Sequence, residues 1–169
     1  MLIDTHTHLD DARYESDREA MLARARAAGV ESMITIGCDL ATSRSAVTLA
    51  NQYPFVYASI GVHPHEVKHI EDGWYDEFRR LARDKKVVAY GEIGLDYHYD
   101  FSPRDVQQAV FRTQIRLALD LALPVVDRVL GLLLDLPRQA QHLDAAREQR
   151  RHALEALAQW LGARHGVAG

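Results

Sequence analysis

Cysteine is almost missing from this sequence: Cys38 is the only one in 169 residues. That excludes an intramolecular disulfide framework and suits a reducing compartment. Long hydrophobic runs are missing too. No apolar stretch approaches the ~20 residues needed to cross a bilayer. Met1-Leu2-Ile3 passes straight into Asp4 without the pattern of a secretory signal. Together these absences predict a cytoplasmic protein with no membrane partner. Nor is there a surplus of positive charge, because 20 Lys and Arg face 24 Asp and Glu for a net charge of -4. No global basic field advertises nucleic acid. A bound metal cluster supplies positive charge locally, however, so an anionic substrate stays open.

What is present is an ordinary globular composition, 47% hydrophobic and 26% charged, in a chain long enough for one domain with a sizeable core. Over residues 1–126, short apolar runs alternate with helical patterns. Strands are predicted at 1–4 (as a buried strand), 30–37, 55–61 and 87–93, with a fifth beginning at 123. Helices are predicted at 15–28, closing on Gly29, and at 42–52, capped by Thr42 or Ser43. Two more fall at 73–84 and at 103–121, the latter opening on Pro103. Strands alternating with helices imply βαβ units around a parallel sheet, an α/β fold. Chemistry at the strand ends favours a (β/α) TIM-type barrel over a doubly wound sheet.

Three motifs carry that chemistry. Asp4-Thr5-His6-Thr7-His8 ends the first strand. Side chains two apart on a strand share a face, so His6 and His8 project together, as ligands for Zn, Mn or a similar cation or as two unrelated surface histidines. Asp4 and Asp10 are available to orient the two rings. Gly61-Val62-His63-Pro64-His65 follows the third strand, with Pro64 stiffening the backbone between the histidines. Alone, that pair reads as a solvated loop; the alternative is to orient a substrate phosphate or serve as acid and base. His69 reads as solvated. Gly91-Glu92-Ile93-Gly94-Leu95-Asp96 ends the fourth strand. An unpaired carboxylate is costly to bury in such an apolar strand, so Glu92 calls for a metal or a salt bridge. Asp96 reads as a support for a neighbour.

The segments IDTHTHLD, GVHPHE and GEIGLDYHYD, in that order, resemble the TatD family of metal-dependent deoxyribonucleases. The stretch PRDVQQAVFRTQ, at 103–114, is similar to the helix before the family's fifth strand. The resemblance covers residues 1–126. It implies a barrel of the metal-dependent hydrolase kind, with His6 and His8 on one divalent ion and Glu92 bridging two, Mg, Mn or Zn. It also implies that, with His63 and His65 matching the family's HPH motif, a histidine there contacts the scissile phosphate region, and that DNA is the substrate, cleaved at phosphodiester bonds. On this likeness the catalytic set is His63, His65 and Glu92. The alternatives are another amidohydrolase-type enzyme, against which GEIGLDYH speaks, and a non-catalytic metal-binding remnant or interaction module.

After LPVV the family pattern calls for Ile/Leu-His-Ser/Thr-Arg, whose histidine is a metal ligand; here Asp127-Arg128-Val129-Leu130 stands instead. Residues 127–169 also change character, becoming rich in Ala, Gln, Arg and Leu, and read as a mostly helical tail. Ala153, Leu154, Leu157 and Leu161 form an apolar stripe at helical spacing that suits self-association. His142, His152 and His165 are not assigned as substitute ligands. A complete barrel needs about 250 residues. The expectation is therefore a barrel of about four βα units joined to an unrelated tail, through truncation, a shifted reading frame or a genuine replacement. Weak or absent nuclease activity follows from the missing ligands.

Overall fold

The structure, a computed structural model, describes residues 2–130. The tail, its amphipathic stripe and the expected self-association lie outside the described residues. Within them, β1 (Leu2–Thr7), β2 (Val30–Ile36), β3 (Val56–Ile60), β4 (Val87–Asp96) and β5 (Val125–Leu130) alternate with helices α1 (Arg18–Ala27), α2 (Leu40–Gln52), α3 (Trp74–Leu81) and α4 (Arg104–Asp120). The sheet runs in the order β1-β2-β3-β4-β5 and every neighbouring pair is parallel. Consecutive strands lying side by side, each returned by a helix, are the arrangement of one half of a (β/α) barrel.

Burial explains the strand compositions. Parallel strands covered on both sides carry continuous apolar runs, and all of β3 and all of β4 except Leu95 are buried or nearly so. One face packs Met33, Ile60, Phe78, Tyr90 and Leu117 into the main core beneath the helices. The opposite face gathers Ile34, Ile36, Tyr57 and Val88.

Two expectations need correction. The first strand is not buried. It runs on to Thr7, so His6 lies inside it, and its residues alternate between exposed and half-buried, with Leu2 at 55% exposure. The reason is position: among the described residues β1 pairs only with β2, at one edge of the sheet. The second helix begins at Leu40, and its cap is Asp39 rather than Thr42 or Ser43. The Asp39 carboxylate accepts the Thr42 backbone N–H at 2.7 Å, and Thr42 Oγ1 accepts the Asp39 N–H at 2.9 Å. Thr42 thus occupies the third helical position and closes a reciprocal box, satisfying two donors at once.

The glycines of β4 answer to β5. Gly94 has φ +145°, and a Cβ there would collide with the backbone carbonyl of Arg128. Gly91 has φ +151° and meets the Val126 carbonyl in the same way. Both positions therefore need glycine for backbone conformation and for close approach. The register places Gly94 opposite Arg128 and Asp96 opposite Leu130. The fourth strand is thus longer than its apolar run predicts, continuing to Asp96.

Candidate metal centre

The C-terminal halves and ends of all five strands converge on an open cleft of about 350 Å³. Its lining includes His6 from β1 and His8 just after it, Cys38 after β2, His63 and His65 after β3, Glu92 from β4 and Arg128 from β5. Every sequence-predicted site residue is therefore brought to one place; His69 is exposed and stays apart.

Glu92 is the hub. Its side chain is only 8% exposed, and its two oxygens face different neighbours. Oε2 lies 3.6 Å from His6 Nε2 and 4.0 Å from His63 Nε2. Oε1 lies 3.9 Å from Arg128 Nη1. All three separations exceed hydrogen-bond length, so the buried carboxylate is ringed by nitrogens without being closed onto any of them. One donor atom each from His6, His8 and Glu92 falls within 4.8 Å of the others. Ligands of one ion at roughly 2.0–2.2 Å stand about 3–4 Å apart, so modest side-chain rotation completes such a set. Two imidazoles and a carboxylate are a donor set that borderline divalent cations accept. The residues fit a metal.

The His63–His65 pair is built differently. His65 Nε2 is 2.7 Å from Asp96 Oδ2, and Asp96 is fully buried. Burial pushes the Asp96 carboxyl upward, but the N–H groups of Tyr99 and His98, the His65 ring and Arg128 outweigh it and hold the pKa at about 2. His63 Nδ1 accepts the His65 backbone N–H at 3.2 Å. In the neutral ring that leaves the proton on Nε2, the nitrogen turned toward Glu92. Burial, with His65 and Arg128 adding to it, lowers the His63 pKa to about 4.

Helix α4 fixes both of these segments, a role that the sequence reading missed. Gln107 and Gln114, seven residues apart and so on one helix face, are fully buried. Gln114 Oε1 accepts the Val62 N–H at 2.8 Å and its Nε2 donates to the Val62 carbonyl at 3.0 Å. Gln107 does the same for Asp96, at 2.8 Å and 3.2 Å. Each glutamine thus stands in for a strand, pairing the backbone next to a site residue. Ser102 Oγ adds a 2.7 Å hydrogen bond to the His65 carbonyl. The signal was a pair of amides at helical spacing inside an apolar helix face.

Three further residues depart from expectation. Asp4 does not orient an imidazole; its carboxylate accepts the His6 backbone N–H at 3.3 Å. Arg128, set aside as a departure from the family pattern, enters the cleft and places Nε 3.3 Å from Asp96 Oδ2. Cys38 joins the lining, and burial, reinforced by the nearby Glu92 charge, pushes its thiol up to about 12. Among the described residues no helix is long and apolar enough to cross a membrane.

Comparison with known proteins identifies the family. YabD of Bacillus subtilis, described as an uncharacterized metal-dependent hydrolase, is 42% identical over 126 residues, covering 75% of this chain and 49% of the relative. The 3'-5' ssDNA/RNA exonuclease TatD of Cronobacter sakazakii is 40% identical over 124 residues, covering 73% of this chain and 47% of its own. The crystal structure of YJJV, a TatD homolog from Escherichia coli K12, superposes with a TM-score of 0.68 at 35% identity, covering 73% of this chain and 49% of that one. The chain therefore spans about half the length of the curated relatives it matches. A family model described as TatD related DNase matches residues 3–126, most of the chain, and the chain belongs to that family.

Proposed function

We propose that the cleft is the metal-binding and phosphate-facing part of a divalent-metal-dependent hydrolase that cleaves phosphodiester bonds in DNA. The observation that carries this reading is the approach of His6, His8 and the buried Glu92 carboxylate to within 4.8 Å of one another. Those three residues hold the cation, and Mg, Mn and Zn all suit them. A divalent cation bound there supplies positive charge against a phosphate and acidifies a coordinated water. This local charge is what a chain of net charge -4 needs in order to engage a polyanion. The nuclease names among the relatives support nucleic acid as the substrate class, and the lone cysteine supports a cytoplasmic site of action.

The chain's own side chains bind and orient. Neutral His63 offers its Nε2–H to an anionic oxygen without needing to be charged, because its pKa of about 4 leaves it unprotonated at neutral pH. His65 is held by the buried Asp96 carboxylate, which fixes its ring and leaves Nδ1 as its other nitrogen. Glu92 combines ligand and catalytic roles, orienting the reacting centre through the oxygen that faces the imidazoles.

Turnover by this chain is weak, because Arg128 stands where the family pattern calls for a ligating histidine. The purified 169-residue chain, incubated with single- and double-stranded DNA and Mg or Mn, is expected to release little product. Robust digestion that disappears in His6→Ala would overturn the impairment while supporting the site. A folded chain that binds no Mn would overturn the site itself.

A further inference from the structure

The two oxygens of Glu92 are served by chemically different partners. Oε2 faces the imidazoles of His6 and His63, whereas Oε1 faces the Arg128 guanidinium at 3.9 Å. Arg128 is not a loose surface side chain. Its Nε pairs with Asp96 Oδ2 at 3.3 Å, and Asp96 is fully buried and braced by the N–H groups of His98 and Tyr99. Its backbone is held in register against Gly94, where any Cβ would collide with the Arg128 carbonyl. The guanidinium is thus anchored between two buried carboxylates, on the side of Glu92 away from the β1 histidines.

We infer that Arg128 takes the place of a second cation, so that this centre binds one divalent ion, on the His6–His8 side of Glu92. The inference rests on the metal-binding reading above. A carboxylate that bridges two ions through its two oxygens needs each oxygen open to one. Here a permanently charged group, which cannot deprotonate at any working pH, already neutralises Oε1. A second divalent ion at that oxygen would sit within a few ångströms of the guanidinium, where like charges repel strongly in a partly buried site. It would also find Asp96 engaged, because that carboxylate's oxygens are already taken by His65, Arg128 and two backbone amides. On the Oε2 side no fixed cation opposes binding, because neutral imidazoles are donors.

The experiment counts ions. The full chain, stripped of metal, is titrated with Mn by calorimetry, and the loaded protein is examined by electron paramagnetic resonance. The wild-type chain is expected to bind one Mn and to give an isolated-ion spectrum. Arg128→His, which removes the fixed charge and supplies a ligand, is expected to bind a second Mn and to give an exchange-coupled spectrum. Two coupled ions in the wild type would overturn the inference while leaving the metal-binding reading intact. So would an Arg128→His chain with wild-type circular dichroism that stays at one ion. No binding by folded wild type would defeat both. Should Arg128→His fail to fold, the wild-type count and spectrum still decide.

Discussion

The two His-x-His pairs share a spacing and almost nothing else. His6 lies on the edge strand and His8 just past its end; the His6 side chain is 45% exposed, and the two ring centres are 5.3 Å apart. His63 and His65 follow an interior strand, with His63 at 10% exposure and ring centres 4.3 Å apart. Among the described residues the first pair makes no ring hydrogen bond that would occupy its nitrogens, so it suits a cation. The second is tied down by Asp96, by its own backbone and by the Gln114 bridge to Val62. A spacing of two puts imidazoles on one side of the chain; the neighbours decide whether they bind or brace.

The sharpest test of that contrast is metal affinity. Removing an outer-shell partner typically weakens binding by about 10–100-fold, and losing a ligand exceeds that. His6→Ala is expected to weaken Mn binding by about a thousandfold, or ~4 kcal/mol, and His65→Ala by less than about tenfold. Calorimetric titration of both variants checks this, and equal losses would break the comparison.

The buried pair should instead reveal itself in stability against pH. In metal-free protein, the folded His63 pKa of about 4 lies below the ordinary 6.5, so the unfolded chain takes up a proton first as pH falls. Stability is then full above pH 6.5 and declines as pH drops toward 4, by on the order of 3 kcal/mol. Asp96, depressed to about 2 from 3.8, extends the loss below pH 4. Urea midpoints at pH 7, 5.5 and 4 in chelator measure the decline, and His63→Gln should flatten its first part. A wild-type midpoint that does not move between pH 7 and 4 would count against the burial of this ring.

A smaller effect isolates the brace. Gln114→Leu leaves the Val62 N–H and carbonyl without their partner, at a cost of about 2 kcal/mol by denaturant titration, while the β1 pair keeps its Mn affinity. Loss of Mn affinity in a folded Gln114→Leu chain would show that the two pairs are not independent.

Part of this was legible in the chain before folding. Among the described residues, the alternation of apolar runs and helical patterns foretold the five strands and four helices, and the interior strands read as continuous apolar runs because both of their faces are covered. Misjudgements fell where tertiary position overrides local pattern. Leu2-Ile3 looks like core, but β1 sits at the sheet edge and leaves Leu2 exposed. Thr42 and Ser43 look like caps, but Asp39 reaches the Thr42 amide first. Gln107 and Gln114 drew no reading of their own from the helical pattern, and they are fully buried because two strand-end segments need backbone partners.

The sequence by itself singled out the side chains that meet in the cleft: His6, His8 and Glu92 through strand periodicity and the cost of a buried carboxylate, which are local facts, and His63 and His65 through the family resemblance. Tertiary structure alone decided how they divide the work. It set Glu92 with one oxygen toward the imidazoles and the other toward Arg128, and it turned Asp96 onto His65. Those pairings join residues far apart in the chain, and only the folding of the parallel sheet from β1 to β5 brings them within reach.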